Sequence, residues 1–153
     1  MSDPEKIIWG MFGAVGVYVL GQLLSKFFID PLYELRKAIG QVRFNLSFHS
    51  PTISTPIGRS TEASDAARDA LRQSSSDLIA KLESVQLYLA VRLLSFGTFP
   101  PRKDIEAAAV HLRALSTYVH EGGAKANEDL DHIHKRIEKI KQGLRLRPLE
   151  EEK

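Results

Sequence analysis

The chain has no cysteine among its 153 residues. That excludes a disulfide framework, thiolate metal sites and a cysteine nucleophile, and it fits a protein that faces the cytosol. A strong charge of either sign is missing too. With 21 Lys and Arg against 19 Asp and Glu, no global field calls for a nucleic-acid partner. No glycine-rich phosphate loop is present, because Gly10, Gly13 and Gly16 lie inside a continuous apolar run. No serine stands in a nucleophile elbow, and no histidine pair has the spacing of His-Glu-x-x-His. Alternation with period two is never sustained; the short "RFNLSF" (Arg43 to Phe48) continues a helical stripe. The sequence therefore predicts an all-α chain, made of one domain or of a small domain plus an anchor.

What is present is a dense apolar block, "IIWGMFGAVGVYVLGQLLSKFFIDP" from Ile7 to Pro31. Gln22 is its only strongly polar side chain up to Leu24. Eighteen helical residues rise about 27 Å, and continuing to Ile29 gives about 35 Å, against a hydrocarbon core of about 30 Å. Trp9 stands at one edge and Phe27, Phe28 and Tyr33 at the other, as interfacial aromatics do. Ser2 and Glu5 have capping-box spacing, and Pro4 sits where a first-turn proline is tolerated. A cleaved signal peptide needs a basic start and a small-residue cleavage site; here Asp3 and Glu5 oppose Lys6, and "SKFFID" offers no such site. A buried soluble helix is rarely apolar for so long. The expectation is a transmembrane helix over residues 7–29, with residues 1–6 outside the cell. Lys26, Arg36, Lys37 and Arg43 follow the span closely and only Lys6 precedes it, which places the C-terminal bulk in the cytoplasm of a cell with an inner (plasma) membrane. Gly10, Gly13, Ala14, Val17 and Gly21 share one side of this helix, a face on which two backbones can approach closely.

Residues 31–147 read as a cytoplasmic antiparallel bundle of about four helices, followed by an acidic tail over residues 148–153. Asp30-Pro31 is expected to interrupt the first helix. The next carries Leu32, Leu35, Ile39, Val42 and Leu46 at steps of three and four, up to about Phe48. "HSPTISTPIGR" then breaks it. A long helix is expected from Thr61 to Ser95, with Ala63, Ala67, Ala70, Leu71, Leu78, Leu82, Val85 and Leu89 on one stripe and a weak point at Ser74, Ser75 and Ser76. Another begins near Pro101 with Ile105, Ala108, Leu112, Leu115 and Val119, and stops at Gly122-Gly123. The last carries Leu130, Ile133, Ile137, Ile140 and Leu144 and ends near Gly143. No helix hides such a seam alone, whereas four seams facing inward bury one another.

The passage "FFIDPLYELRKAIGQVRFNLSF" directly after a span, followed by "PPRKDIEAAAVHLRALS", resembles uncharacterised single-pass bacterial membrane proteins with a cytoplasmic helical domain. The resemblance implies an architecture and a bacterial membrane, and nothing catalytic.

The candidate chemistry is thin. His132 and His134 point about 200° apart on a helix and cannot share one ion, so neither a metal nor another cofactor is expected. Asp65/Asp69 and Glu128/Asp131 read as solvated faces. The chain is not expected to be an enzyme or to take a small-molecule substrate. Its basic residues fit a lipid surface better than nucleic acid, because no aromatic interleaves with the run "HKRIEKIKQGLRLR". An up-down bundle would return the apolar segment Val85 to Lys103 to the membrane surface, with Arg92, Arg102 and Lys103. It would bring Lys135, Arg136, Lys139, Lys141, Arg145 and Arg147 toward the same surface. The partners expected are therefore membrane lipid and a second copy or another helical protein. The functional expectation is a membrane-anchored helical interaction module; the alternative is a small pore-forming or membrane-perturbing oligomer.

Overall fold

The computed structural model describes residues 3–54, 60–85, 88, 99–120 and 126–146. The described residues are all-α. Helix α1 spans Asp3–Leu24, a π-turn spans Ser25–Ile29, and α2 spans Asp30–Phe48. The short α3 spans Ser50–Ser54, α4 Thr61–Ser84, α5 Arg102–His120 and α6 Ala126–Gly143.

The first three elements form one continuous rod, so the expected interruption at Asp30-Pro31 does not occur. The physical reason lies in the π-turn just before the proline. Asp30 N–H donates to the Ser25 carbonyl, five residues back. A proline inside a regular α-helix lacks one hydrogen bond and strikes the carbonyl four residues earlier. The wider π-turn displaces those carbonyls, and the helix passes Pro31 intact.

The apolar seams pack as their spacing predicts. Leu35, Val42 and Leu46 of α2 are buried, as are Ala67, Leu71, Leu78 and Leu82 of α4. So are Ile105, Ala108, Leu112, Leu115 and Val119 of α5, and Ile133 and Ile140 of α6 with Leu144 after it. The helices pack in chain order, α2 on α4, α4 on α5 and α5 on α6, while α3 reaches both α4 and α6. Each successive pair is antiparallel. Lys81 of α4 meets Glu34 of α2 at 3.1 Å, whereas the earlier Ser74 meets the later Asn45. Asp104 at the start of α5 approaches Gly143 at the end of α6, and Tyr118 near the end of α5 stacks with His132. The end of the bundle that joins the π-turn, its base, therefore also holds the end of α4, the start of α5 and the end of α6.

Two features differ from expectation in α4. The serines do not break it. Ser74 and Ser75 are buried: Asn45 Nδ2 donates to Ser74 Oγ (2.7 Å), and Ser75 Oγ donates to the Ala109 carbonyl (2.8 Å). They tie α4 to α2 on one side and to α5 on the other, so the groups that would compete with the helix backbone are spent between helices. The helix also stops at Ser84, not Ser95. Val85 has φ −83° and ψ 89°, outside helical geometry. Val85, Tyr88 and Phe99 are then buried, with the Tyr88 and Phe99 rings edge to face at 6.5 Å. One unbroken helix to Ser95 would leave apolar residues on several faces; with α4 ended at Ser84, Val85, Tyr88 and Phe99 belong to the core. They are covered by protein and not offered to lipid. Leu87, Leu89, Val91, Arg92, Leu93, Leu94 and Phe96 lie outside the described residues.

The segment between α2 and α4 is not wholly irregular. After a one-residue turn at His49 (φ −92°, ψ 7°), α3 buries Ile53 completely. The start of α4 follows its sequence: Ser60 Oγ accepts from Ala63 N–H at 3.2 Å, an N-cap worth about 1 kcal/mol.

Candidate functional site

The helix from Met11 onward is long and apolar enough to cross a membrane, and its most apolar window is 0% buried within the protein. Gly13, Ala14, Val17 and Gly21 all lie on this bare surface, and a Cβ added at Gly13 or Gly21 meets nothing within 4 Å. Gly10 lies one turn earlier in α1. Gln22 Nε2 donates to Tyr18 Oη at 3.3 Å, so the one strongly polar side chain of the run finds a partner on its own helix. At the other end of the run, Phe28 and Leu32 already pack against the bundle core. Bare rod gives way to packed bundle within one turn, with no linker between them.

The cations expected to meet lipid are distributed along the bundle. Arg102 and Lys103 occupy the first turn of α5 and are exposed, with Arg102 Nε paired to Glu106 at 2.9 Å. Lys141 and Arg145 lie at the end of α6, also at the base. Lys139 lines a shallow depression with Asp104, His111 and Gly143. Lys135 and Arg136 stand higher, seven or eight residues before Gly143, or roughly 10–12 Å along the helix. Arg136 is engaged there: its guanidinium lies 5.2 Å from the Tyr118 ring centroid and 3.3 Å from His111 Nδ1. Arg92 and Arg147 lie outside the described residues.

The end of α6 has a Schellman motif. Leu146 N–H donates to the Lys141 carbonyl and Arg145 N–H to the Gln142 carbonyl, with Arg145 at φ 52°. Glycine usually takes that left-handed position. Gly143, the expected stop, serves another purpose: a Cβ there would lie 3.0 Å from the Asp104 carbonyl oxygen. Its missing side chain lets the end of α6 approach the first turn of α5, and the left-handed residue falls two positions later.

His111 of α5 meets Arg136 of α6 through its Nδ1. Arginine only donates hydrogen bonds, so the contact with Arg136 requires His111 Nδ1 to accept, which leaves the ring neutral with its proton on Nε2. Burial, together with the nearby Lys139 and Arg136 charges, lowers its pKa below the ordinary 6.5. A folded pKa below the unfolded one means that the unfolded chain binds more protons, so stability is full above about pH 6.5 and falls as pH drops through the folded pKa. Urea midpoints measured between pH 7.5 and 5 are expected to decline, and His111→Gln to flatten that part of the decline. An identical slope in the variant would assign the effect to other groups.

Two further surfaces escaped the sequence pattern. An open groove of about 520 Å³ runs between α2 and α4, with Glu34, Lys37 and Gln41 on one wall and Gln73, Asp77 and Lys81 on the other. Lys81 donates to Glu34 there and holds its carboxyl below the usual range, aided by Lys37. The outer side of α2 exposes Tyr33, Phe44 and Phe48, the last two stacked with centroids 5.6 Å apart. Among the described residues, no three His, Asp or Glu side chains converge as metal ligands would.

No family model, curated protein or solved structure matches the chain. The functional reading rests on the residues and their arrangement.

Proposed function

We propose that the chain is a membrane-anchored helical interaction module. Its apolar helix spans the inner membrane with the N-terminus outside, and its bundle stands in the cytoplasm. One observation carries this reading: a single uninterrupted helix is bare along its apolar first half and packed along its second. A soluble protein has no use for about eighteen consecutive apolar residues in water, whereas lipid tails cover them at no cost. The bundle that follows offers faces for association. The cations Arg102, Lys103, Lys141 and Arg145 at its base support contact with anionic headgroups, each worth about 1 kcal/mol near such a surface. A pore-forming oligomer draws no support from the span, because Gln22 is paired with Tyr18 and nothing else in the run would line a polar lumen.

The test is topological. Protease added to intact bacterial spheroplasts should leave a C-terminal tag untouched and destroy it after lysis. Digestion without lysis would overturn the orientation, and recovery of the full-length chain in the soluble fraction would overturn the anchor.

A further inference from the structure

We propose that two copies of this chain pair in parallel along one seam that runs from the apolar helix, through the π-turn, onto the outer face of α2. The proposal rests on the membrane-anchored reading and names its partner.

The π-turn sets the alignment. An α-helix advances about 3.6 residues per turn, so two turns take about seven residues. A π-turn adds one residue. Gly21 and Ile29 are eight residues apart with the π-turn between them, and therefore lie on the same side of the rod. Val17 lies one turn before Gly21, and Tyr33, Gly40 and Phe44 continue the line beyond Ile29 at steps of four, seven and four. Without the extra residue, α2 would be rotated by about 100° and its exposed aromatics would face away from the Val17 side.

This line is not covered by the bundle. Tyr33 is 66% exposed and Phe44 56%. A Cβ at Gly40 meets nothing within 4 Å. Beside it, the Arg36 guanidinium lies over the Phe99 ring, and Lys37 lines the α2–α4 groove with Glu34.

The area argues for a continuous seam. An aromatic side chain contributes roughly 150–250 Å² when buried, so the two on this line, each more than half exposed, offer roughly 200–300 Å². A stable interface needs roughly 800 Å² per partner. The aromatics fall short alone, so the seam has to extend into the span, where Val17 and Ile29 are exposed and the backbone is open at Gly13 and Gly21. A partner that covers both halves must itself continue from a span into a cytoplasmic helix, with small residues and aromatics at matching depths. A second copy meets that requirement through a two-fold axis along the rod, which sets Gly40 against Gly40 and Phe44 near Phe44. Copies inserted by the same rule share one orientation in the membrane, as the parallel pairing needs.

The chain has no cysteine, so one introduced thiol reports one position. Full-length single-cysteine variants Val17→Cys, Ile29→Cys, Tyr33→Cys, Gly40→Cys and Gln41→Cys are oxidised in native membranes. Ile29→Cys, Tyr33→Cys and Gly40→Cys are expected to give a product of twice the chain mass at least fivefold more than Gln41→Cys, which lies on the groove side. One alanine inserted between Leu23 and Leu24 turns α1 by about 100° against α2, and should cut the Gly40→Cys product at least fivefold. Equal products at Gly40 and Gln41, cross-linking confined to Val17, a product of another mass, or none at all would each overturn the seam. The alanine insertion leaving the Gly40 product unchanged would overturn its continuity. Tag protection in spheroplasts is read separately, so a protected tag without cross-links removes the seam and leaves the anchor.

Discussion

The double variant Val15→Arg/Leu20→Arg is expected to leave the membrane fraction while its bundle stays folded. Both residues lie on the bare half of the rod, about 60% exposed, and neither belongs to the hydrophobic core. On an insertion scale, an arginine at the centre of a span costs about 2.5–3.5 kcal/mol. Two together cost roughly 5–7 kcal/mol, a shift of about 10⁴-fold in partitioning. In water the same substitutions fall on a solvated helix and touch stability by less than about 0.5 kcal/mol. Flotation of vesicles in a density gradient reads the first effect, and the urea midpoint of the bundle reads the second. A variant that still floats would show that the apolar helix is not the anchor. A variant that unfolds the bundle would show that the helix packs as core. A wild-type product shortened at its N-terminus would mark the run as a cleaved signal.

Much of the bundle was legible because its signal is periodic. Ile105, Ala108, Leu112, Leu115 and Val119 recur at three- and four-residue steps, Leu35, Val42 and Leu46 at seven and four, and those residues are buried. The misses come from places where local chemistry and tertiary context compete. Asp30-Pro31 reads as a stop because proline usually is one, and a π-turn leaves no compositional mark. The serines at 74 and 75 read as a weak point because serine favours non-helical backbone bonds. They stand in the gap between Leu71 and Leu78, where the seam demands inward-facing residues, and that gap was the available signal. Ile53 was a similar hint, a lone large apolar residue between two prolines, and it anchors α3. The exposed line of Tyr33, Gly40 and Phe44 was hidden for a different reason. Its alignment with the span depends on the one-residue shift of the π-turn, and a regular helical wheel drawn from Ile7 onward places it on another side.

Within the bundle, Leu112→Ala is expected to cost a large share of the stability. Leu112 is fully buried on the helix that packs against both α4 and α6. Removing its side chain forfeits the transfer energy of the deleted carbons and leaves a cavity that the neighbours fill only in part; such changes cost about 2–5 kcal/mol. A domain of this size is stable by about 5–15 kcal/mol in total, so the loss is a large share of the whole. The melting temperature should fall by roughly 10–20 °C. Val110→Ala is the control on the same helix. Val110 is 65% exposed, so its truncation opens no cavity, and alanine's better helix propensity offsets the lost contacts. Its effect should stay within about 0.5 kcal/mol. Thermal and urea unfolding of both variants, followed by far-ultraviolet circular dichroism, separates the cases. Two small and equal losses would mean that the α4–α5–α6 interface collapses around missing carbons, and that its stability lies instead in the ties made by Ser74 and Ser75.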